Sequence, residues 1–286
     1  MNRRKFLAGA AAGLGTAYLG PSSVAGVLEV PIRDHKVEAN DAVVLGKTGI
    51  RTSRLAMGTG TIGSGGSSNQ TRTGGLTRLL RTGYDRGLIF FDTADSYGSH
   101  PQVAEAVSQL PRDKVVIMTK CDNRDPQQAK ADIDRYRREL KTDYIDILLM
   151  HCMMESDWTE RYRGVMDVFE EAKQKKIIRT HGCSCHTIGA LRAAAKSSWV
   201  EVDLVRLNPV GAHMDADPQT VIEVIKEMRA QGKGIIGMKI LGQGAMRKRQ
   251  DEAIRFALGS GVLDAFTIGA ENDAEQADLI KKIAAA

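Results

Sequence analysis

The sequence predicts an α/β fold in which eight parallel strands close into a (β/α)8, or TIM, barrel. Short apolar runs of strand length alternate with longer amphipathic runs of helical length, eight times along the chain. The length of 286 residues suits one such barrel, which takes about 250 residues. In addition, several of the apolar runs end in a polar or titratable residue, as barrel strands do at an active site.

The chain enters this barrel through a predicted β-hairpin. Residues 42–45 and 50–54 are short extended runs, joined by a turn at residues 46–49 that begins and ends with glycine. Residues 55–60 form the first barrel strand. Residues 72–86 form the first helix, because their apolar side chains recur at helical spacing.

The second barrel strand, residues 88–92 of the stretch LIFFDTADSY, is the clearest element of the sequence. Its four large apolar residues in a row predict a strand that is buried on both faces. The later strands are predicted at residues 115–119, 144–150, 177–183, 202–207, 234–241 and 263–268, and the later helices at residues 102–110, 126–140, 159–174, 188–195, 218–230, 250–258 and 273–283. Asp125 and Asp217 directly precede two of these helices and are their predicted N-caps.

Composition and charge narrow the functional classes. Apolar residues make up 42% of the chain, and no run of about 18 of them predicts a membrane-spanning helix. The net charge is +5, but Arg3, Arg4 and Lys5 supply three of these charges, so the rest of the chain carries only +2. Because there is no dense basic stripe with interleaved aromatic residues, the sequence does not indicate nucleic-acid binding.

The N-terminus is predicted to be an export signal. Arg3 and Arg4 precede an Ala- and Gly-rich apolar segment, and residues 23–25 offer a small-x-small cleavage site. The arginine pair resembles a twin-arginine signal, which implies that the twin-arginine machinery carries the folded protein to the periplasm or another exported location. A frayed N-terminal helix is the alternative. The predicted organisation is a signal at residues 1–25, a linker at 26–40 and the barrel at 41–286.

Four titratable residues lie at the ends of three successive predicted strands: Asp92 and Tyr97 after the second, Lys120 after the third and His151 after the fourth. Because the carboxyl ends of barrel strands surround one mouth, with strands about 4.8 Å apart, these side chains should converge. Lys120 would there lower the pKa of Tyr97, and Asp92 would hold Lys120 in place. His151 would hydrogen-bond a carbonyl oxygen that Tyr97 protonates. Each residue alone has a structural explanation, but their joint position favours a site.

The motifs around these residues resemble the aldo/keto reductase family. The resemblance rests on FDTADSYG, on a strand that ends in Thr-Lys and on a strand that ends in His, and it covers roughly residues 43–283, including the opening LGKTGIRTSRLAMGTG. It implies that Tyr97 is the general acid and that Lys120 lowers its pKa. It further implies that Asp92 supports Lys120 and that His151 orients the substrate.

The resemblance also implies a reaction and a cofactor. Members of the family reduce an aldehyde or ketone with hydride from NAD(P)H, which binds across the barrel mouth without a Rossmann fingerprint. Consistently, the sequence has no G-x-G-x-x-G turn between a strand and a helix. The expected partner is therefore a small carbonyl substrate.

Residues on the nicotinamide side follow from the same resemblance. Ser184, after the fifth strand, matches a serine that holds the carboxamide, while Cys185 stands where asparagine is usual. Asn208, after the sixth strand, matches a further amide contact. Met238 takes the place of an aromatic residue that stacks on the nicotinamide, and its polarizable thioether could do the same. Lys239 follows it and belongs to the same predicted cofactor site.

Residues on the phosphate side are assigned in the same way. Gly242 and Gly244 would let the backbone approach the pyrophosphate. Gly269 and Glu271 lie in TIGAEN, which resembles a family element that often carries an arginine for the 2′-phosphate of NADP. Glu271 would repel that phosphate, whereas Arg249, in a neighbouring basic loop, could bind it. NADP and NAD both stay open, and the resemblance slightly favours NADP.

The four cysteines are Cys121, Cys152, Cys183 and Cys185, and each is one residue away from a predicted site residue. If the site residues face the mouth, strand alternation turns all four cysteines toward the helices, where they would act as small apolar fillers. The alternatives are a metal or redox cluster, for which no C-x₂-C pair is present, and a disulfide between Cys121 and Cys152. The sequence therefore assigns no metal site.

The substrate is not specified by the sequence. Trp158, after the fourth strand, is the predicted aromatic lining of the pocket, and the short C-terminal end predicts an open pocket. A rival function is a sensor or interaction protein that binds nicotinamide on the same barrel with little turnover, which the departures at Cys185 and Met238 leave open. A metal-dependent hydrolase would need more converging ligands than Asp92 and His151.

Overall fold

A computed structural model describes residues 36–60 and 74–286 of the chain. The predicted signal, most of the predicted linker and the start of the first predicted helix lie outside these residues. Val37 and Ala39 are buried against the core, so the packed part of the chain begins before the predicted start at Asp41. None of the described helices is long and apolar enough to cross a lipid bilayer.

The described strands and helices alternate along the chain. The strands are β1 (Ala42–Val44), β2 (Arg51–Ser53), β3 (Leu55–Gly58), β4 (Phe90–Asp92), β5 (Val116–Cys121), β6 (Ile145–Met153), β7 (Ile178–Cys185), β8 (Val202–Arg206), β9 (Gly234–Met238) and β10 (Ala265–Gly269). The α-helices are α1 (Leu76–Asp85), α2 (His100–Val107), α3 (Pro126–Leu140), α4 (Trp158–Arg161), α5 (Arg163–Gln174), α6 (Ile188–Lys196), α7 (Pro218–Ala230), α8 (Gln250–Gly259) and α9 (Asp273–Ala284).

Strands β3 to β10 form a closed parallel barrel. Each pairs with its neighbour in chain order, and β10 pairs with both β9 and β3, which closes the ring. Strands β1 and β2 form a separate antiparallel hairpin. The predicted (β/α)8 barrel with an N-terminal hairpin is therefore confirmed.

Two apolar layers pack on the barrel because successive side chains of a strand point to opposite faces. Phe90 and Leu149 belong to the layer inside the barrel, whereas Phe91 and Leu148 belong to the layer beneath the helices. Burial of one such side chain stabilises the fold by about 1.5–3 kcal/mol. The outer layer is the larger of the two, as expected for a barrel enclosed by helices.

The hairpin closes the end of the barrel opposite the mouth. Leu45 and Ile50 are fully buried in the inner apolar layer, among side chains of the barrel strands. The backbone at Gly46 passes so close to the chain before β9 that an added Cβ would lie 2.4 Å from the Gly232 carbonyl oxygen. Only glycine fits this approach, because its φ is also positive, at +48°.

Several element boundaries follow the sequence closely. Helices α3 and α7 begin and end where predicted, and the carboxylates of Asp125 and Asp217 accept the capping hydrogen bonds as expected. The helix predicted at residues 159–174 is instead divided at Tyr162 into α4 and α5. The Tyr162 hydroxyl donates to Glu155 Oε1 at 3.0 Å, and Glu155 lies in the segment that precedes α4.

A β-bulge interrupts β6 close to the mouth. Met150 pairs with Cys183 and Met153 pairs with Cys185, so β6 holds one more residue than β7 over this interval. Cys152 takes up the irregularity with a φ of +59°. Strand alternation is therefore broken at one of the four cysteines, Cys152.

The predicted direction of the cysteine side chains is confirmed for three residues and wrong for the fourth. Cys121, Cys183 and Cys185 are buried in the layer beneath the helices, as alternation requires. Cys152 is only half-buried and contacts His186 rather than the helix layer, because the bulge turns it away from the helices. All four cysteines are free thiols, so Cys121 and Cys152 are not joined.

Candidate active site

A buried ion pair lies at the centre of the barrel mouth. Lys120 on β5 is fully buried, and its ammonium donates to Asp92 Oδ1 at 2.5 Å and to the Thr93 carbonyl at 2.7 Å. The other carboxylate oxygen of Asp92 accepts a hydrogen bond of 2.7 Å from Thr267 Oγ1 on β10. Burial alone would lower the pKa of Lys120, but Asp92 and Tyr97 raise it above its ordinary value, so the ammonium stays charged.

Tyr97 lies beside this pair, on a 3₁₀ turn (Asp95–Tyr97) that follows β4. The Lys120 ammonium lies 4.7 Å from the centre of its ring. The backbone at Gly60 packs against the ring so closely that a Cβ there would lie 2.6 Å from Tyr97 Cε2. The glycine that ends the first predicted strand thus leaves space for the aromatic ring.

The pKa of Tyr97 shifts in the direction opposite to the sequence prediction. Burial raises the pKa of the phenol, and this outweighs the lowering by the nearby Lys120 ammonium. Lys120 does favour the phenolate, as predicted, but the net pKa is above the ordinary value. Tyr97 therefore carries its proton at neutral pH and can donate it.

Ionic and hydroxyl contacts hold the turn that carries Tyr97. Asp95 receives hydrogen bonds of 2.8 and 2.7 Å from the two terminal nitrogens of Arg135 and one of 3.1 Å from the Tyr136 hydroxyl. The Ser99 hydroxyl, just after the turn, lies 2.7 Å from Thr59 Oγ1. None of these supporting residues was identified from the sequence, because helix α3, which supplies two of them, begins some thirty residues further along the chain.

His151 completes the cluster from β6. Its ring lies edge-on to that of Tyr97, with 6.0 Å between the ring centres. Its Nδ1 lies 2.7 Å from Asp122 Oδ1. Burial alone would raise the pKa of Asp122, but the bond to His151 and the nearby Arg124 lower it below its ordinary value. Asp122 was missed in the sequence, although its place two residues after Lys120, at the same strand end, was the available signal.

The structure thus brings together all four predicted catalytic residues. A cavity of about 320 Å³ opens beside them at the mouth. It is lined by Gly58, Gly60, Asp92, Tyr97, Leu204, Met238, Lys239, Ile240, Leu241, Gln243, Gly244, Thr267, Ile268 and Gly269. Among the predicted cofactor residues, Met238, Lys239, Gly244 and Gly269 therefore share one cavity with Asp92 and Tyr97.

Three other predicted cofactor residues are buried outside this lining. Ser184 is fully buried, and its hydroxyl accepts a hydrogen bond of 2.9 Å from the Cys152 amide. The Asn208 side chain bonds to its own loop, donating to Ala212 O at 2.8 Å and accepting from the Ala212 amide at 3.0 Å. Gly242 is buried within the 3₁₀ turn (Gly242–Gly244) that follows β9.

The remaining two predicted cofactor residues, Arg249 and Glu271, lie on the surface. The Arg249 guanidinium pairs with Glu252, with Nε 2.6 Å from Oε2. The backbone amide of Glu271 donates to Glu275 Oε2 at 2.9 Å. Neither lines the cavity.

Lys239 is the cation of the cavity. Its backbone has a φ of +55°, an arrangement that non-glycine residues adopt rarely and that is concentrated at functional sites. Burial, and next the positive charge of Arg206, lower the pKa of its ammonium. Among residues 36–60 and 74–286, no carboxylate forms an ion pair with it.

The predicted lining role of Trp158 is wrong. The side chain is fully buried in the layer beneath the helices, and its indole nitrogen donates to the Ala190 carbonyl at 3.1 Å. It packs edge-on against Trp199, with 6.2 Å between the ring centres. Helix α4 starts at this residue and turns the indole away from the mouth.

Cys152 and His186 form a further contact at the end of β6. Cys152 Sγ lies 3.2 Å from His186 Nδ1. Burial raises the pKa of the Cys152 thiol, and burial together with Arg206 lowers the pKa of His186 to about 4. At neutral pH the pair is therefore an uncharged thiol in contact with an uncharged imidazole.

The fold and the mouth cluster together are those of a (β/α)8-barrel enzyme. The chain belongs to the aldo/keto reductase family of oxidoreductases, since the model of that family matches residues 54–283. The uncharacterized oxidoreductase YqkF of Bacillus subtilis (strain 168) is 25% identical over 217 residues, 68% of this chain and 69% of that protein. The NADH-specific methylglyoxal reductase of Escherichia coli (strain K12) is 27% identical over 170 residues, 50% of this chain and 51% of that protein.

A solved structure shows the same fold. The aldo-keto reductase AKR11C1 from Bacillus halodurans, in its holo form, superposes with a TM-score of 0.69 at 18% identity. The superposition covers 87% of this chain and 91% of that one. At such low identity the likeness extends to the arrangement of the barrel.

The lowered pKa of His186 predicts a pH-dependent stability. Below about pH 6.5 the unfolded chain protonates this histidine, whereas the folded chain does so only near pH 4. The stability that the neutral imidazole contributes is thus complete above pH 6.5 and is lost as the pH falls toward 4. The full shift corresponds to about 1.36 kcal/mol per pKa unit, and solvent screening of this partly exposed ring reduces the effect, so His186→Gln should reduce the loss of stability between pH 7 and pH 4 by about 1–2 kcal/mol.

The measurement is urea unfolding of the wild type and variant at a series of pH values. His213→Gln is the matched control, because His213 is an exposed loop histidine. The same pH dependence in all three proteins would contradict the assignment.

Proposed function

We propose that this protein reduces an aldehyde or ketone to an alcohol with hydride from NAD(P)H. The observation that carries the proposal is the convergence of Tyr97, the Lys120–Asp92 pair and His151 beside one cavity. Membership of the aldo/keto reductase family supports the reaction class. The methylglyoxal reductase named above acts on a carbonyl substrate, as its name states.

In this proposal the proton comes from Tyr97. The phenol is protonated in the free enzyme because burial raises its pKa, and the carbonyl oxygen that gains negative charge can take that proton. The adjacent Lys120 ammonium stabilises the negative charge that then develops on the tyrosine oxygen. Asp92 acts through Lys120 and not directly on the substrate, because both of its carboxylate oxygens are already hydrogen-bonded, one to the Lys120 ammonium and the other to the Thr267 hydroxyl.

His151 positions the substrate in this scheme. Nδ1 donates to the Asp122 carboxylate, so Nε2 is the nitrogen that faces a carbonyl oxygen, and it donates to that oxygen when the ring carries a proton on both nitrogens. The ring's edge-on placement against Tyr97 sets both groups around the same point. Two donors could then converge on one oxygen, which favours the charge that builds there.

In this proposal the cavity receives the nicotinamide end of a dinucleotide, which would supply the hydride when bound. Met238 and Leu204 provide apolar surface, and Lys239 provides a cation without an ion-pair partner among the described residues. At Gly244 an added Cβ would meet nothing within 4 Å, so the backbone there is open to a ligand. We assign Met238 to the nicotinamide and Lys239, Gly244 and Gly269 to the phosphates.

The first prediction concerns the proton donor. Tyr97→Phe should lower kcat/KM for carbonyl reduction by at least about 100-fold, because general acid catalysis contributes roughly that much, while cofactor binding is retained. Steady-state assays with a panel of aldehydes and ketones and both nicotinamides test this. Tyr144→Phe is the matched control, because Tyr144 precedes β6 at the opposite end of the barrel.

The same assays distinguish the proposed carbonyl reductase from the rival function, a nicotinamide-binding sensor with little turnover. Full activity in Tyr97→Phe would contradict the mechanism. If the wild type binds NAD(P)H, seen as a change in nicotinamide fluorescence, but does not oxidise it in a single turnover with any carbonyl, the sensor function is the correct one.

The second prediction of the proposed function concerns the preference of the enzyme for NADP or NAD, of which NADP is slightly favoured. If Arg249 binds the 2′-phosphate, Arg249→Ala should raise KM for NADPH about tenfold and leave KM for NADH unchanged, because a charged hydrogen bond contributes about 1.5 kcal/mol. Glu271→Arg should shift the preference toward NADPH. Arg255→Ala, on the exposed side of α8, is the control. An unchanged preference in both test variants would remove these residues from the cofactor site.

The third prediction concerns location. We propose export by the twin-arginine route, motivated by Arg3-Arg4 and the segment that follows them. Changing Arg3 and Arg4 together to lysine keeps the charge but removes the arginine pair, so the full chain should remain in the cytoplasm. Cell fractionation followed by detection of the protein measures this. Export of the double variant at the wild-type level would overturn the assignment.

A further inference from the structure

We propose that Cys183, Cys185 and Asp203 form a buried site for one thiophilic divalent cation of the Zn²⁺ class. The three side chains lie on adjacent strands, outside the barrel interior and away from the mouth cluster. Each is fully buried, and one ligand atom from each lies within 4.8 Å of the other two. The site would be structural, because no part of it is open to substrate.

Strand register brings the three ligands together. Cys183 on β7 is the direct pairing partner of Asp203 on β8. Cys185 lies two residues further along β7, so its side chain points to the same face as that of Cys183. Ser184, between them, faces the other way and bonds to the Cys152 amide. The donor set is therefore fixed by two neighbouring strands of the most rigid part of the fold.

The separations suit tetrahedral coordination. Cys183 Sγ lies 3.8 Å from Cys185 Sγ and 3.7 Å from Asp203 Oδ1. A tetrahedral zinc ion with Zn–S of about 2.3 Å and Zn–O of about 2.0–2.2 Å requires ligand separations of roughly 3.6–3.8 Å. The third pair, Cys185 and Asp203, lies within 4.8 Å, so an ion could bind between the three atoms once the side chains of this pair close on it.

An orphaned oxygen provides an independent sign of a missing ligand. Asp203 Oδ2 is buried and has no hydrogen-bond partner, and the only side-chain contact of its other oxygen is the Cys183 thiol. Buried carboxylate oxygens without partners are costly, and thiols are weak donors. A cation held by this carboxylate would offset the buried negative charge that its oxygens share.

The charges would also balance. Two thiolates and one carboxylate carry about three negative charges, and a divalent cation offsets two of them. Lys233 is the neighbouring cation, buried behind the strands and in electrostatic contact with Cys183 and Asp203. Its ammonium is fixed by the carbonyls of Ser197 and Val200, the latter at 3.1 Å.

Cys121 provides a matched contrast within the same chain. Its thiol is equally buried and lies 3.9 Å from Asp132 Oδ2. It has no second thiol nearby, and Asp132 is already bonded to Asn123 and Arg135. One cysteine beside a satisfied carboxylate does not make a donor set.

The experiment measures metal content directly. The full-length protein is purified without chelator and analysed by mass spectrometry for metals, and it is also unfolded and refolded with Co²⁺, whose bond to thiolate gives a charge-transfer band. We expect close to one equivalent of metal in the wild type and in Cys121→Ser. Cys185→Ser and the near-isosteric Asp203→Asn should each lose at least about nine tenths of it, and the wild-type melting temperature should fall on chelation.

The outcomes decide the proposal without reference to activity. A wild type that contains less than a tenth of an equivalent, and that shows no cobalt–thiolate band after refolding, overturns it. Metal that persists in both Cys185→Ser and Asp203→Asn, or that is lost equally in Cys121→Ser, places any ion elsewhere and also overturns it. If Cys185→Ser does not fold, the comparison of Asp203→Asn with the wild type decides.

Discussion

The mouth of the barrel depends on the buried ion pair between Lys120 and Asp92. Moving an ammonium from water into the protein interior costs roughly several kcal/mol of free energy. Here two hydrogen bonds offset this cost, one from the Lys120 ammonium to the Asp92 carboxylate at 2.5 Å and one to the Thr93 carbonyl at 2.7 Å. Thr267 bonds to the second carboxylate oxygen, so the pair ties together β10, β4 and β5. Because Tyr97 packs beside the same ammonium, the position and the proton affinity of the phenol both depend on this pair.

The two sides of the mouth are built differently. On the proton-donating side, regular strands present Asp92 and Lys120, and a short turn adds Tyr97. On the other side a bulge in β6 breaks the alternation, so that His151 meets Asp122 while Cys152 turns toward the mouth. The irregular backbone at Cys152 is the kind of local strain that a rigid scaffold can hold at a functional site.

Local patterns allowed much of the fold to be predicted. Asp125 and Asp217, each followed by proline, gave the starts of two helices correctly, since a capping carboxylate and a fixed φ act within one turn. The helix break at Tyr162 and the burial of Trp158 beneath the helices were not predicted, because both depend on contacts between separate elements. The net pKa shift of Tyr97 was missed for a related reason: it is set by the balance between burial and one ammonium, and burial is a property of the whole fold.

The sequence by itself determined the barrel and the four residues at its mouth. The alternation of side chains along a strand, and the residue at which a strand ends, both follow from the local order of residues. Only the tertiary structure decided which distant groups support them. Thr267 lies 175 residues from Asp92, yet it holds that carboxylate because closure of the barrel sets β10 beside β3, one strand away from β4. In the same way, Asp203 meets Cys183 through the register of two strands, which no local period records.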